Sequence, residues 1–214
     1  MAEMTAALPQ NAGVAGLVLA SGRSSRFGGE KALGELCGES LLGRAVAGLM
    51  GVSTRVAVSV RAGSQTELLA LAMGLPVIHD RSAIASGPLA GVVGGLHWAR
   101  SLGAQWLASL PCDVTCVPDG ALEKLVTASG GNRAALITTK RGFESLCALW
   151  PVDSARMLED MLEQRTHPPM REVLRSLGAV EVAFEGDDIF LNINTRDDLA
   201  RVEAIMIGDE SRGR

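Results

Sequence analysis

The stretch "VAGLVLASGRSSRFGGEK", residues 14–31, sets two opposite compositions back to back. Residues 14–20 are apolar without a break, the pattern of a strand buried on both faces. Residues 21–31 then bring Gly22, Gly28 and Gly29 together with Arg23, Arg26 and Lys31. Glycines let backbone N–H groups approach a ligand closely, and cations beside them complete an anion nest. The loop therefore reads either as a phosphate cradle or as an ordinary surface loop. It is not a Walker A loop, because no Gly-Lys-Ser/Thr occurs. It is not the dinucleotide fingerprint either, because the glycines do not fall as G-x-G-x-x-G.

The same alternation of apolar run and polar stretch continues along the chain. Runs over 55–60, 75–78, 104–110, 134–139, 145–150 and 180–184 predict further strands. Amphipathic stretches near 40–50, 64–73, 89–102, 119–128, 153–164, 169–177 and 196–207 predict helices. Thr195 stands as the cap of the last helix, with Asp198 three residues on in a capping-box variant. This order implies an α/β fold, doubly wound and Rossmann-like, with a mostly parallel sheet and helices on both faces. No linker, repeat or low-complexity segment interrupts it. Residues 13–208 read as one domain behind a tail over residues 1–12.

The bulk composition excludes several classes of function. A hydrophobic content of 47% argues for a packed core. The net charge of −4 makes the chain a poor general polyanion binder. Aromatic residues are only 3% and tyrosine is absent, so no stacking platform for single strands exists. The segment Ser21–Lys31 is the local exception, at net +2 from Arg23, Arg26 and Lys31 against Glu30. Cys37, Cys112, Cys116 and Cys147 fit neither a zinc ribbon nor a CxxC pair. The apolar run near the N-terminus is too short to span a bilayer and follows no basic segment. A cytoplasmic protein without nucleic-acid or membrane partners is expected.

In a doubly wound sheet, ligands bind beyond the carboxyl ends of the strands. Asp113 in "LPCDVTCVP" follows the fourth predicted strand and is either a turn former or, beside a bound triphosphate, a ligand for a hard cation. Asp80 ends the third strand. Gly87-Pro88 then turns into a helix whose first residues are small, which serves either close packing or a flat ligand. Asn192 and Asn194 in "FLNINTRDDL" share a face of an extended chain, toward a ligand or toward the last helix cap. The three histidines form no catalytic constellation with a serine and an aspartate.

Taken together, "LASGRSSRFGGEK", the aspartate followed by "GPLAG", "PCDVTCVP" and "NINTRDDL" resemble the molybdenum cofactor guanylyltransferase family, in the family's order and over residues 14–205. The resemblance implies a nucleotidyltransferase that transfers GMP from GTP to the phosphate of molybdopterin and releases pyrophosphate. It implies nucleotide contacts at Leu19, Ala20, Ser21, Gly22, Lys31, Asp80 and Asp113, with Arg26 and Lys31 at the phosphates. It implies Mg2+ on Asp113 and the pterin substrate at Asn192 and Asn194. Arg26, Lys31 and Asp113 are the expected catalytic groups. Transient contacts with proteins that deliver or receive the cofactor are implied as well. Ser21, Ser59 with Arg61, Cys116 and Glu144 depart from the family's usual residues. The alternatives are a cytidylyltransferase or another small nucleotidyltransferase, and, in a different class, a non-catalytic nucleotide-binding protein.

Overall fold

The computed structural model describes residues 13–22, 24, 26–79, 87–164 and 168–212, with side chains to residue 208. Eleven strands and seven α-helices are found among them. The strands are β1 (Val14–Leu19), β2 (Glu35–Leu36), β3 (Glu39–Ser40), β4 (Val56–Val60), β5 (Val77–His79), β6 (Trp106–Pro111), β7 (Val114–Thr115), β8 (Ala135–Thr139), β9 (Gly142–Pro151), β10 (Val180–Ala183) and β11 (Leu191–Asn192). The helices are α1 (Leu41–Met50), α2 (Gln65–Ala72), α3 (Pro88–Ser101), α4 (Ala121–Ala128), α5 (Ala155–Glu163), α6 (Met170–Ser176) and α7 (Arg196–Arg212). None of the helices is long and apolar enough to cross a membrane.

Seven strands form the main sheet in the order β10-β8-β9-β6-β1-β4-β5. Strand β1 runs parallel to both β6 and β4, and β4 runs parallel to β5. The mostly parallel expectation holds, with one strand reversed. Strand β9 lies antiparallel to β6 and to β8. Only Lys140 and Arg141 separate β8 from β9, too few residues for the crossover that parallel strands need.

Burial explains why β1 reads as apolar throughout. Val18 packs on one side of the sheet, against α1 residues Leu42 and Leu49. Ala15, Leu17 and Leu19 pack on the other, against α3 residues Leu89, Val92 and Leu96. Helices cover both faces, as the alternating pattern implies. A fully buried leucine contributes roughly 1.5–3 kcal/mol by leaving water, so no position of this strand tolerates a polar residue cheaply.

Helix α3 sits unusually close to the sheet. A methyl group added at Gly91 would lie 2.6 Å from Ser59 Oγ, one at Gly94 2.7 Å from Ile78 Cγ2, and one at Gly95 2.6 Å from Leu17 Cδ2. Those distances are shorter than side-chain packing allows. The small residues at the start of this helix therefore serve close packing. Ser59 Oγ itself is buried and has no hydrogen-bond partner among the described residues.

A third, smaller core lies at the carboxyl end of β1. Phe27 of the glycine-bearing loop packs there with Leu36, Leu41, Ile193 and α7 residue Val202. The guanidinium of Arg196 stacks 5.2 Å from the Phe27 ring centroid. The loop is thus pinned by one aromatic residue in its middle, while Gly28 just beyond it turns with φ +77°. The predicted cap of α7 is present. Asp198 N donates to Thr195 Oγ1 at 3.1 Å, and the Asp198 carboxylate accepts from the backbone N–H groups of Asn194 and Thr195, each at 3.0 Å.

Candidate active site

The carboxyl ends of three neighbouring strands are level with one another. Leu19 of β1 lies opposite Pro111 of β6 and Ser59 of β4. Their backbones stay joined past the strand ends. Cys112 N donates to Leu19 O at 3.1 Å, and Ala20 N donates to Ser59 O at 2.9 Å. Asp113 therefore follows β6 directly beside the loop that follows β1, as a shared site demands.

A cleft of about 550 Å³ opens at this edge. Leu19, Ala20, Ser21, Gly22, Arg26, Lys31, Asp113 and Asn194 all line it. The structure thus brings together, from three distant parts of the chain, most of the residues that the sequence singled out. Arg23 and Asp80 lie outside the described residues, as does the tail over residues 1–12. Asn192 does not line the cleft. Its side chain lies near the Glu144 carboxylate of β9 and favours that group's charged form.

Lys31 is the centre of the arrangement. Its ammonium pairs with Asp113 Oδ2 and also donates to Asn194 Oδ1 at 3.1 Å. Its backbone N–H donates to Ser24 Oγ at 3.3 Å. The Lys31 and Asp113 side chains are only 13% and 23% exposed, so the pair is screened less than a surface pair. Asp113 is positioned by β7 and by the segment facing it. Val114 pairs with Asn192 and Thr115 with Leu191, and Ile193 N donates to Asp113 O at 2.8 Å. Ile193 is fully buried. The strand ends at Asn192, and past the buried Ile193 it is Asn194 that reaches the cleft.

Among the cleft residues that the sequence did not mark as site residues are Glu30, Arg61 and Thr66. Glu30 caps α2. It accepts from Gln65 N at 3.1 Å, from Thr66 N at 2.7 Å and from Thr66 Oγ1 at 2.5 Å. Arg61 donates to it at 3.3 Å. Burial works against the Glu30 carboxylate, but the Thr66 and Gln65 hydrogen bonds and the Arg61 charge hold its pKa below the ordinary value. A charged group after β4 and a polar helix start give some signal for this cap. The 35-residue separation hides its partner.

Cys112 also faces the cleft. Burial, with the Asp113 charge adding to it, pushes its thiol up to about 12. It stays protonated at neutral pH and is no nucleophile. Burial likewise raises the pKa of Glu144, and Asp113 adds to the rise while Asn192 and Arg141 oppose it.

The donor set suits a hard divalent ion. Asp113 supplies carboxylate oxygen, and no cluster of three or more His, Cys, Asp or Glu side chains that could hold a metal occurs among the described residues. An ion here would need further oxygens from a ligand such as a triphosphate, which is how Mg2+ commonly binds. The helix start at Gly87-Pro88 adds a dipole-favoured anion position on the far wall of the cleft.

The chain matches the model of the MobA-like NTP transferase domain over residues 16–182. A protein of Acidiphilium cryptum named molybdenum cofactor guanylyltransferase is 34% identical over 198 residues, covering 92% of this chain and 97% of that protein. A protein of the same name from Rhodobacter capsulatus is 34% identical over 193 residues, covering 89% and 95%. The solved structure of molybdopterin-guanine dinucleotide biosynthesis protein A from Archaeoglobus fulgidus superposes with a TM-score of 0.71 at 23% identity, over 90% of this chain and 98% of that one. CMP:2-keto-3-deoxy-manno-octonic acid synthetase, solved with CTP, superposes with a TM-score of 0.73 at 13% identity, over 92% of this chain and 100% of that one. These two structures speak for the fold. The sequence relatives, with the family model, decide between enzyme and non-catalytic binder: the chain belongs to the MobA-like NTP transferase family and is a nucleotidyltransferase.

Proposed function

We propose that the protein is a molybdenum cofactor guanylyltransferase that moves GMP from GTP to the terminal phosphate of molybdopterin. The observation that carries this reading is the Lys31 ammonium held between the Asp113 carboxylate and the Asn194 amide, at the joined ends of β1 and β6. The names of the sequence relatives give the reading its substrates.

The chain's own groups supply positioning and charge, which dominate phosphoryl-group transfer. Leu19 and Ala20 form the floor under the nucleoside. The backbone of Ser21 and Gly22, with Arg26 and Lys31, holds the β- and γ-phosphates and neutralises the pyrophosphate as it leaves. Asp80 contacts the nucleoside. Asn194, on the cleft wall, meets the acceptor, and Asn192 is assigned to it by the family resemblance alone. An oxygen of the acceptor phosphate forms the new bond to the α-phosphorus, and the bond from that phosphorus to the β-phosphate bridging oxygen breaks. The acceptor phosphate is already ionised near neutral pH, so no protein base is required. Asp113 would hold Mg2+, which would supply Lewis-acid stabilisation of phosphate charge.

Pyrophosphate release is the direct test. The purified protein with GTP, molybdopterin and Mg2+ releases pyrophosphate, and CTP in place of GTP supports a much slower rate. A clear preference for CTP overturns the guanylyl assignment.

A further inference from the structure

Three side chains of the cleft satisfy one another. The Lys31 ammonium pairs with Asp113 Oδ2 and donates to Asn194 Oδ1 at 3.1 Å. An ammonium carries three donors, so one N–H is left over. The backbones around the pair are fixed. Ile193 N donates to Asp113 O at 2.8 Å, and Asn194 N donates to the Asp198 carboxylate at 3.0 Å. Lys31 opens a short 3-10 helix over Lys31–Leu33, where its carbonyl accepts from Gly34 N at 2.8 Å. Its own N–H donates to Ser24 Oγ at 3.3 Å. What can move is the lysine stem, four carbons long.

A single ligand meets this pair at a disadvantage. A divalent cation on Asp113 sits beside the Lys31 ammonium, and like charges face each other. A polyphosphate that draws the ammonium away faces a bare Asp113 carboxylate, and like charges meet again. Both side chains are largely buried, so water screens these repulsions weakly. When both ligands arrive, every charge finds an opposite one. The ammonium goes to the phosphates and the carboxylate to the cation. Glu30 in the same cleft makes no such exchange, because the N–H groups of Gln65 and Thr66 and the Thr66 hydroxyl hold it.

We propose that the Lys31–Asp113 pair is an autoinhibitory contact, which disfavours a divalent cation or a polyphosphate that comes alone and yields to the two together. The inference rests on the reading of Asp113 as the cation ligand. It goes beyond that reading, because it makes the affinity for each ligand depend on the other through Lys31. Coupling of this kind is reciprocal.

Calorimetry with tripolyphosphate and Mn2+ as probes tests it, with no nucleobase or acceptor present. Carboxylate oxygen suits Mn2+ as it suits Mg2+. In the presence of a chelator, Asp113→Asn binds tripolyphosphate at least about tenfold more tightly than the wild type, and with Mn2+ added the order reverses. Without polyphosphate, Lys31→Met binds Mn2+ at least about tenfold more tightly than the wild type, while Lys31→Arg, which keeps the charge, stays within about threefold. Glu30→Gln removes a carboxylate from the same cleft without touching the pair, and it changes metal-free tripolyphosphate binding less than about threefold. Asp113→Asn and Lys31→Met report independently, so if one fails to fold the other decides. Metal-free tripolyphosphate binding no tighter in Asp113→Asn, Mn2+ binding no tighter in Lys31→Met, or an equal gain in Glu30→Gln overturns the inhibitory role. The guanylyl reading fails separately. A wild type that shows the coupling but transfers no GMP to molybdopterin keeps this inference and loses that reading, and one that transfers GMP without the coupling does the reverse.

Discussion

Two carboxylates flank the glycine-bearing loop, and they are held in opposite ways. Glu30 meets donors that are mostly fixed: the backbone N–H groups that start α2 and the Thr66 hydroxyl, with the exposed Arg61 guanidinium beside them. Asp113 meets the ammonium of Lys31, carried on a flexible four-carbon stem. A carboxylate saturated by fixed donors joins the loop to a helix and has little left to give a ligand. A carboxylate balanced by one movable cation can exchange that partner for another. Under the proposed function, that difference separates a structural acid from a chemical one within a single cleft.

The sharpest way to break this contrast is to remove each acid in turn. Asp113→Ala lowers guanylyl transfer at least about a hundredfold, while the melting temperature changes little. Steady-state pyrophosphate release and thermal unfolding read the two effects, and near-wild-type activity would end the metal assignment. Lys31→Ala costs less, about ten- to a hundredfold in kcat, because Arg26 and the loop backbone remain in the cleft to take over the charge proposed for Lys31. Glu30→Ala shows the reverse pattern: about 1–2 kcal/mol of stability is lost with the α2 cap, and the activity loss is smaller than at Asp113.

The pH dependence sharpens the same point. The Glu30 carboxyl is held below its ordinary value of 4.5 in the folded protein. Its contribution is fully present above that value and is lost as the pH falls through the lower folded-state pKa. Asp198, held below 3.8 first by the Asn194 N–H, behaves alike. Glu30→Gln therefore flattens the decline of stability in acid, which chemical denaturation between neutral pH and pH 3 measures. The smallest effect is a gain. Ser59→Ala removes a buried hydroxyl that has no partner among the described residues and stabilises the fold by about 1 kcal/mol.

Local pattern was enough for the elements that carry their own signal. The apolar run before Ala20 reads as a doubly buried strand, and Thr195 with Asp198 reads as a helix cap; both are present. The short pairs β2–β3 and β7–β11 were not legible, because two-residue strands have no periodicity of their own. They exist through their partners. The same is true of the site. Lys31 reaches Asp113 across 82 residues and Asn194 across 163, and no local window contains either meeting. The resemblance of four motifs grouped these residues and assigned both asparagines to the pterin substrate. Of the two, Asn194 lines the cleft, while Asn192 stands on β11 outside its lining.

The three close-packed glycines of α3 tie the width of the cleft to the stability of the core. The first turn of this helix, at Gly87-Pro88, forms one wall of the cleft. Its distance from the sheet is set by Gly91, Gly94 and Gly95. An engineer who wished to admit a bulkier nucleotide by lifting that wall would have to add side chains beneath it, and each would wedge the helix off β1, β4 or β5. Substrate range and thermal tolerance are thus a single dial in this scaffold, and variation in specificity has to come from the loops instead.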